Sequence, residues 1–401
     1  MSLNETVSAE RTHIAFFGMR NAGKSSLVNA VTGQQLAVVS DVKGTTTDPV
    51  KKAMELLPLG PVVIIDTPGL DDEGELGALR VQKAREVLAK TDIAVLVVDA
   101  GTGPSPQDQE LLALFQERKL PHIAAYNKAD LLSQRPSLPE NSLYVSAKTG
   151  ENVHQLKEKL GALVGKTANQ KAIVSDLLSP GEMAVLVTPI DAAAPKGRMI
   201  LPQQQTMRDL LDAHCAFAVC QPEELAGTLA RLAVKPKVVV TDSQAFGRVA
   251  KDVPAGVLLT SFSILFARYK GSLPVLTQGA AALSRLKEGD QVLISEGCTH
   301  HRQCGDIGTV KLPGWIEDFT HCKPRYRFTS GGEFPEDLGE YKLVVHCGGC
   351  MLNEAEMQSR VRRAQRAGVP IVNYGVAIAQ MHGILRRSLE AFPEILALLD
   401  Q

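Results

Sequence analysis

Between Gly18 and Ser25 the chain reads GMRNAGKS, a GxxxxGKS spacing suited to holding phosphate. Glycines let successive backbone N–H groups turn inward around an anion, at a helix N-terminus whose dipole favours negative charge. Gly18, Asn21, Ala22 and Gly23 would line the cradle, Lys24 would reach the β- and γ-phosphates, and the Ser25 hydroxyl would ligate Mg²⁺, with Ser26 next on the helix. DTPG, Asp66 to Gly69, closes an apolar run, where the Asp66 carboxylate would hold Mg²⁺ through water and the Gly69 N–H would sense the γ-phosphate. NKAD, Asn127 to Asp130, closes another, and the Asp130 carboxylate can accept two hydrogen bonds from the guanine edge that adenine does not offer. SAK, Ser146 to Lys148, would set the Ala147 N–H on guanine O6. With Asn127 and Lys128 these groups select GTP over ATP. In KGTTTDP, Lys43 to Pro49, Thr46 is the chosen hydroxyl to complete the Mg²⁺ shell, with Thr45 and Thr47 beside it as alternatives. Lys24, Thr46, Asp66 and Gly69 are the expected catalytic set.

A second constellation lies near the carboxyl terminus. Cys298-Thr299-His300 forms CxH after the run QVLIS, and His346-Cys347-Gly348-Gly349-Cys350 forms HCxxC after KLVVH. If those runs are parallel neighbours in one sheet, both groups meet at its carboxyl edge. Three thiolates with a histidine, His300 or His346, suit a Cys₃His zinc or an iron–sulfur cluster with an exchangeable fourth ligand, and on spacing alone the two are equally served. Plain burial of the cysteines is the third reading. His301, Cys304, His321 and Cys322 read as ordinary neighbours, and Cys215 and Cys220, in HCAFAVC, as small core hydrophobes.

The elements that must position these groups are short apolar runs alternating with amphipathic ones: Ile14 to Phe17, Val62 to Asp66, Ile93 to Asp99, His122 to Lys128 and Leu143 to Ala147, closed by a helix over Asn152 to Val164. This rhythm predicts a mostly parallel sheet covered by helices. It resumes at Ala184 to Ile190, Val238 to Asp242 and Val257 to Ser261 without any phosphate loop, and again at Gln291 to Ser295, Lys342 to His346 and Val369 to Asn373. The expectation is an α/β chain of three domains: a P-loop NTPase domain over 8–168, then two smaller α/β domains with parallel sheets, 172–262 for dimerisation and 263–401 for the metal group. A length of 401 residues accords with that number, and 44% hydrophobic with 22% charged residues is the balance of a globular protein. Forty-three basic against 44 acidic residues leave a net charge of −1, which offers no electrostatic footprint for nucleic acid. The polar start, the lack of a long apolar span and seven cysteines, an odd number, point to a cytoplasmic protein without a disulfide framework.

The stretch from Gly18 to Lys148 resembles the GTPases that include the tRNA-modification GTPases and Era-like proteins. That likeness implies slow intrinsic hydrolysis, since Leu70 follows DTPG where glutamine would orient water. It also implies stimulation by K⁺ through the asparagine at position 21; Thr47 stands where relatives often carry arginine. The whole chain, through ISEGCTHHRQCGDIGTVKLPGW and YKLVVHCGGCMLN, resembles the FeFe-hydrogenase maturation GTPases, the HydF family. The resemblance implies a 4Fe-4S cluster on Cys298, Cys347 and Cys350, its fourth ligand being His346, His300 or a non-protein group. It further implies a homodimer or tetramer acting as a scaffold, which receives a di-iron precursor from two radical-SAM maturases and passes it to apo FeFe-hydrogenase. A zinc-stabilised regulatory GTPase and an RNA or ribosome-assembly GTPase are the rival readings; no GxxG RNA-clamping module supports the latter.

Overall fold

The computed structural model describes residues 8–35, 50–68, 83–167, 171–190, 199–297 and 306–400. The chain divides into two compact units, 1–170 and 171–401.

In the first unit β1 (Thr12–Phe17), β2 (Val50–Leu56), β3 (Gly60–Asp66), β4 (Ile93–Asp99), β5 (His122–Asn127) and β6 (Ser142–Tyr144) form one sheet in the order β2-β3-β1-β4-β5-β6. Only β2 runs antiparallel, against β3. The inner strands are apolar throughout because both faces are covered. Ile14, Phe16, Val95 and Val97 pack on one side with Leu27 of α1 (Lys24–Thr32) and Leu156 of α4 (Val153–Thr167). Ala15, Phe17, Leu96 and Val98 pack on the other with Val87 of the helical stretch 83–88 (α2) and Phe115 of α3 (Pro106–Glu117). The parallel registers Phe16↔Asp66 and Asp99↔Asn127 bring the ends of these strands to one edge.

The second unit holds two four-stranded sheets, all parallel. In one, β7 (Met183–Val187), β8 (Ala216–Cys220), β9 (Val238–Thr241) and β10 (Leu258–Ser261) take the order β10-β9-β7-β8, with α5 (Leu201–Asp212), α6 (Leu225–Arg231) and α7 (Phe246–Asp252) as connections. After α8 (Phe262–Tyr269) and α9 (Leu273–Ala280), β11 (Gln291–Ser295), β12 (Arg325–Thr329), β13 (Leu343–His346) and β14 (Ile371–Asn373) take the order β12-β11-β13-β14. Helices α10 (Leu312–Thr320), α11 (Glu354–Arg366) and α12 (Tyr374–Met381) lie between or after those strands. One continuous hydrophobic core contains residues of both sheets, among them Val185, Val239, Leu293 and Val344. The α/β class with parallel sheets is as expected, whereas β2, β8 and β12 are strands beyond those anticipated.

Candidate functional sites

The phosphate loop connects β1 to α1 at the carboxyl edge of the first sheet. Gly18 adopts φ +140°, and a Cβ there would sit 2.2 Å from the Val97 carbonyl oxygen, so only glycine lets the loop pass over β4. Lys24 is buried and donates from Nζ to the Gly18 and Met19 carbonyls at 2.9 and 2.7 Å. Ser25 Oγ donates to Asp66 Oδ2 at 2.7 Å. Burial raises the Asp66 carboxyl above its ordinary range, with the Ser25 hydrogen bond and the Lys24 charge working against that rise. Its Oδ1 is buried without a hydrogen-bond partner among the described residues. Two hard oxygens side by side, one of them unsatisfied, fit a magnesium ion. Asn21 is exposed in the left-handed region at φ +61°, and Ser26 lies half-buried on α1. Thr46 and its neighbours Lys43 to Pro49, together with Gly69 and Leu70, lie outside the described residues.

The base-reading loops meet the same edge. Asn127 Nδ2 donates to the Ala22 carbonyl at 3.0 Å, while its Oδ1 accepts the Ala147 N–H at 3.0 Å, so this buried amide joins the phosphate loop to the SAK loop. Ser146 Oγ donates to Asp130 Oδ1 at 2.6 Å, fixing the carboxylate expected to read guanine. Lys128, at φ +63°, pairs with Asp99 at 2.7 Å, and Lys148 is exposed. Two further groups were not singled out from sequence. Asp99 ends the apolar run IAVLVVD, a position comparable to Asp66, and that signal was available. Arg135 makes a bidentate pair with Glu151 at 2.5 and 3.0 Å and also donates to the Ala129 carbonyl, which ties the NKAD turn to the segment after SAK. Nothing in its sequence context announces that role.

At the third sheet β11 and β13 are adjacent and parallel, with Ser295 opposite His346, as the paired CxH and HCxxC groups required. Cys347 and Cys350 are half-buried at the carboxyl edge; Cys298, His300, His301 and Cys304 lie outside the described residues. Cys347 Sγ accepts N–H groups from Gly297 at 3.0 Å and Gly349 at 3.4 Å, the surroundings of a thiolate. Gly349 has φ +61°, and a Cβ there would fall 2.6 Å from Met357 Sδ. Soft sulfur donors with N–H groups aimed at sulfur fit a thiolate-bound iron–sulfur group, although among the described residues no three His, Cys, Asp or Glu side chains are grouped to hold a metal. Cys322 precedes β12 and so stands at the opposite, amino edge of this sheet.

His346 is fully buried and both ring nitrogens are engaged. Arg360 Nη1 lies 3.0 Å from Nε2 and, because a guanidinium only donates, Nε2 is the acceptor. The proton therefore sits on Nδ1, which donates to the Cys347 carbonyl at 2.7 Å. Arg360 in turn donates to Glu356 at 2.8 Å and to the Gly331 carbonyl at 2.6 Å. Lys270 approaches from the turn after α8, where burial pushes its ammonium down to about 8 while the Cys350 and Cys347 sulfurs act in the other direction. Neither Arg360 nor Lys270 was expected as a site residue, since neither belongs to a ligand-like spacing.

Comparison with known proteins gives the following. Residues 274–391 match the hydrogen maturase F tetramerization domain, and residues 173–271 match the hydrogen maturase F dimerization domain. Residues 13–128 match the family described as 50S ribosome-binding GTPase. The tRNA modification GTPase MnmE of Nitrosomonas europaea is 35% identical over 168 residues, which is 40% of this chain and 36% of that protein. MnmE of Legionella pneumophila is 36% identical over 159 residues, 39% of this chain and 35% of that protein. The chain thus spans about a third of the length of the curated relatives it matches. Among solved structures, the G domain of the T. maritima FeoB iron transporter is similar at 27% identity and a TM-score of 0.31, covering 40% of this chain and all (100%) of that one. Era of Aquifex aeolicus bound to GDP·AlF4⁻ is similar at 18% identity and a TM-score of 0.34, covering 60% and 97%. No described helix is long and apolar enough to cross a membrane.

Proposed function

The chain belongs to the hydrogen maturase F family and carries a GTPase domain, and from that premise we propose that it is a cytoplasmic GTP-hydrolysing scaffold that carries a 4Fe-4S cluster and delivers a di-iron precursor to apo FeFe-hydrogenase. The observation that carries the reading is the convergence of β11 and β13, which sets the HCxxC thiols beside the strand end that continues into Cys298 and His300. Cys298, Cys347 and Cys350 are the three thiolate ligands. His346 already bonds Arg360 and the Cys347 carbonyl, so it orients the loop, and the fourth position falls to His300 or a non-protein group. A bound cluster would supply an iron with a replaceable ligand at which the precursor, made by two radical-SAM maturases, is held.

In the G domain Lys24 would exchange its loop carbonyls for phosphate oxygens, and Ser25, Thr46 and Asp66 would surround Mg²⁺, which neutralises charge on the β- and γ-phosphates. Gly69 would report the γ-phosphate. Asn127, Lys128, Asp130, Ser146 and Ala147 would hold guanine. With Leu70 after DTPG, hydrolysis is slow and K⁺, drawn by Asn21, accelerates it. GTP then serves as a timer for partner binding. The assembly is a homodimer or tetramer, and β8 supports it: this edge strand exposes Val219 at 44%, and Leu211 of the preceding α5 is 58% exposed, apolar residues suited to meeting a second copy.

The test is iron, sulfide and zinc analysis of anaerobically reconstituted protein with EPR after dithionite reduction, beside a Cys347→Ser/Cys350→Ser variant. A 4Fe-4S signal lost in the variant supports the proposal. Stoichiometric zinc with no cluster on reconstitution would sink it.

A further inference from the structure

Lys270 is 6% exposed, in the turn between α8 and α9. Its ammonium donates to the Gly349 carbonyl and, at 2.7 Å, to the Leu352 carbonyl, thus to both sides of Cys350 in the CGGC turn. The turn that carries it is held from the other side: Gln358 on α11 donates to the Lys270 carbonyl and, at 3.3 Å, to Ser272 Oγ. Gly271 has φ +73°, and a Cβ there would come within 2.8 Å of Gln358 Nε2, so the two segments are closely fitted. A buried cation is costly unless paired. Here both acceptors are neutral carbonyls, and no carboxylate among the described residues lies within ion-pair distance of Lys270. The groups that act on its charge are the Cys350 and Cys347 sulfurs when ionised, then Glu354 and Glu356 at the head of α11.

We infer that Lys270 is the positioning cation of the thiolate site: it locks the CGGC turn through two carbonyls and offsets the negative charge of a cluster bound to Cys347 and Cys350. Lys270 falls at the end of the stretch 173–271 that matches the dimerization domain, and the cysteines fall in 274–391. The inference rests on the cluster reading proposed above.

Full-length wild type, Lys270→Met and Lys270→Arg are reconstituted with iron and sulfide, and the midpoint potential of each cluster is read by EPR-monitored redox titration. A cation beside the cluster favours the more negative, reduced form. Lys270→Met is therefore expected to lower the one-electron reduction constant about tenfold, a shift of about 59 mV to more negative potential. Lys270→Arg, which keeps the charge, should restore it. Cluster uptake by wild type and Lys270→Arg but not by Lys270→Met supports the same role. A Lys270→Met cluster with the wild-type potential overturns the inference while leaving the cluster reading intact. Loss of cluster in both variants, with unchanged thermal unfolding, also overturns it, since charge is then not what the site needs. Absence of a cluster in wild type overturns both readings.

Discussion

Arg360 offers the sharpest measurement of what holds the thiolate loop in place. It is 3% exposed, and its guanidinium reaches Glu356 at 2.8 Å, the Gly331 carbonyl at 2.6 Å and His346 Nε2 at 3.0 Å, while lying over the Phe334 ring at 5.2 Å. Arg360→Met keeps an unbranched apolar stem and removes every donor. The Glu356 side chain, 10% exposed, then loses this partner, and breaking such a buried pair from one side costs about 3–5 kcal/mol. Adding Glu356→Gln removes the buried charge and should recover at least about 2 kcal/mol of that loss. Trp315, the single tryptophan of the chain, sits on α10 in the same unit, so its fluorescence during urea unfolding reports this unit. A loss below about 1 kcal/mol, the range of solvent-exposed pairs, would refute the argument that Arg360 and Glu356 form a buried core of the site.

Four further outcomes are expected. Burial lifts the Asp66 pKa in the fold above its unfolded value of 3.8, so the associated stability is complete below 3.8 and is lost as pH rises through the folded value. Asp66→Asn should therefore melt higher than wild type at pH 7 without nucleotide or Mg²⁺, and an equal melting temperature at pH 7 would refute this. Asp130→Asn should weaken GTP binding ~100-fold or more by removing two charged hydrogen bonds of roughly 1.5–3 kcal/mol each, while favouring xanthosine triphosphate; undiminished GTP affinity in a competition assay would contradict the role given to Asp130. Arg135→Ala should speed GDP release with the melting curve unmoved, because the Arg135–Glu151 pair braces the base loops, and unchanged release would remove that function. GTP hydrolysis should be faster in potassium chloride than in sodium chloride; equal rates would count against a role for Asn21.

The strands missed in the sequence share one property: β2, β8 and β12 each lie at a sheet edge. An edge strand has fewer neighbours to exclude water, so RYRFT alternates exposed arginines with inward residues, VKKAMEL exposes Lys51, Lys52 and Glu55, and neither forms the apolar run by which the central strands announce themselves. The phosphate loop and the strand-end cysteines were legible because their chemistry demands fixed residue types at fixed spacing. Arg360, Lys270 and Arg135 were not, because each acts on a loop distant in sequence, and only the packing of α11, of the α8–α9 turn and of the SAK segment brings them there. Even the state of His346 is invisible in HCxxC: it depends on Arg360, 14 positions later, occupying its second nitrogen.

The two sites share a device. Lys24 is buried with its ammonium on the Gly18 and Met19 carbonyls of the loop built to receive phosphate. Lys270 is buried with its ammonium on the Gly349 and Leu352 carbonyls of the loop that carries the thiols. In each case two backbone carbonyls receive a cation next to a glycine-bearing turn at the carboxyl edge of a parallel sheet, and for Lys270 no carboxylate among the described residues lies at contact distance. Carbonyls stabilise an ammonium less than an anion does, so an anion arriving at either turn gains the difference. For Lys24 that anion is the triphosphate. By the same electrostatics the proposed cluster on three thiolates is the anion that Lys270 would favour. A zinc ion on the same three thiolates carries the net charge of the oxidised cluster, so the lysine favours the cluster over zinc only once the cluster is reduced.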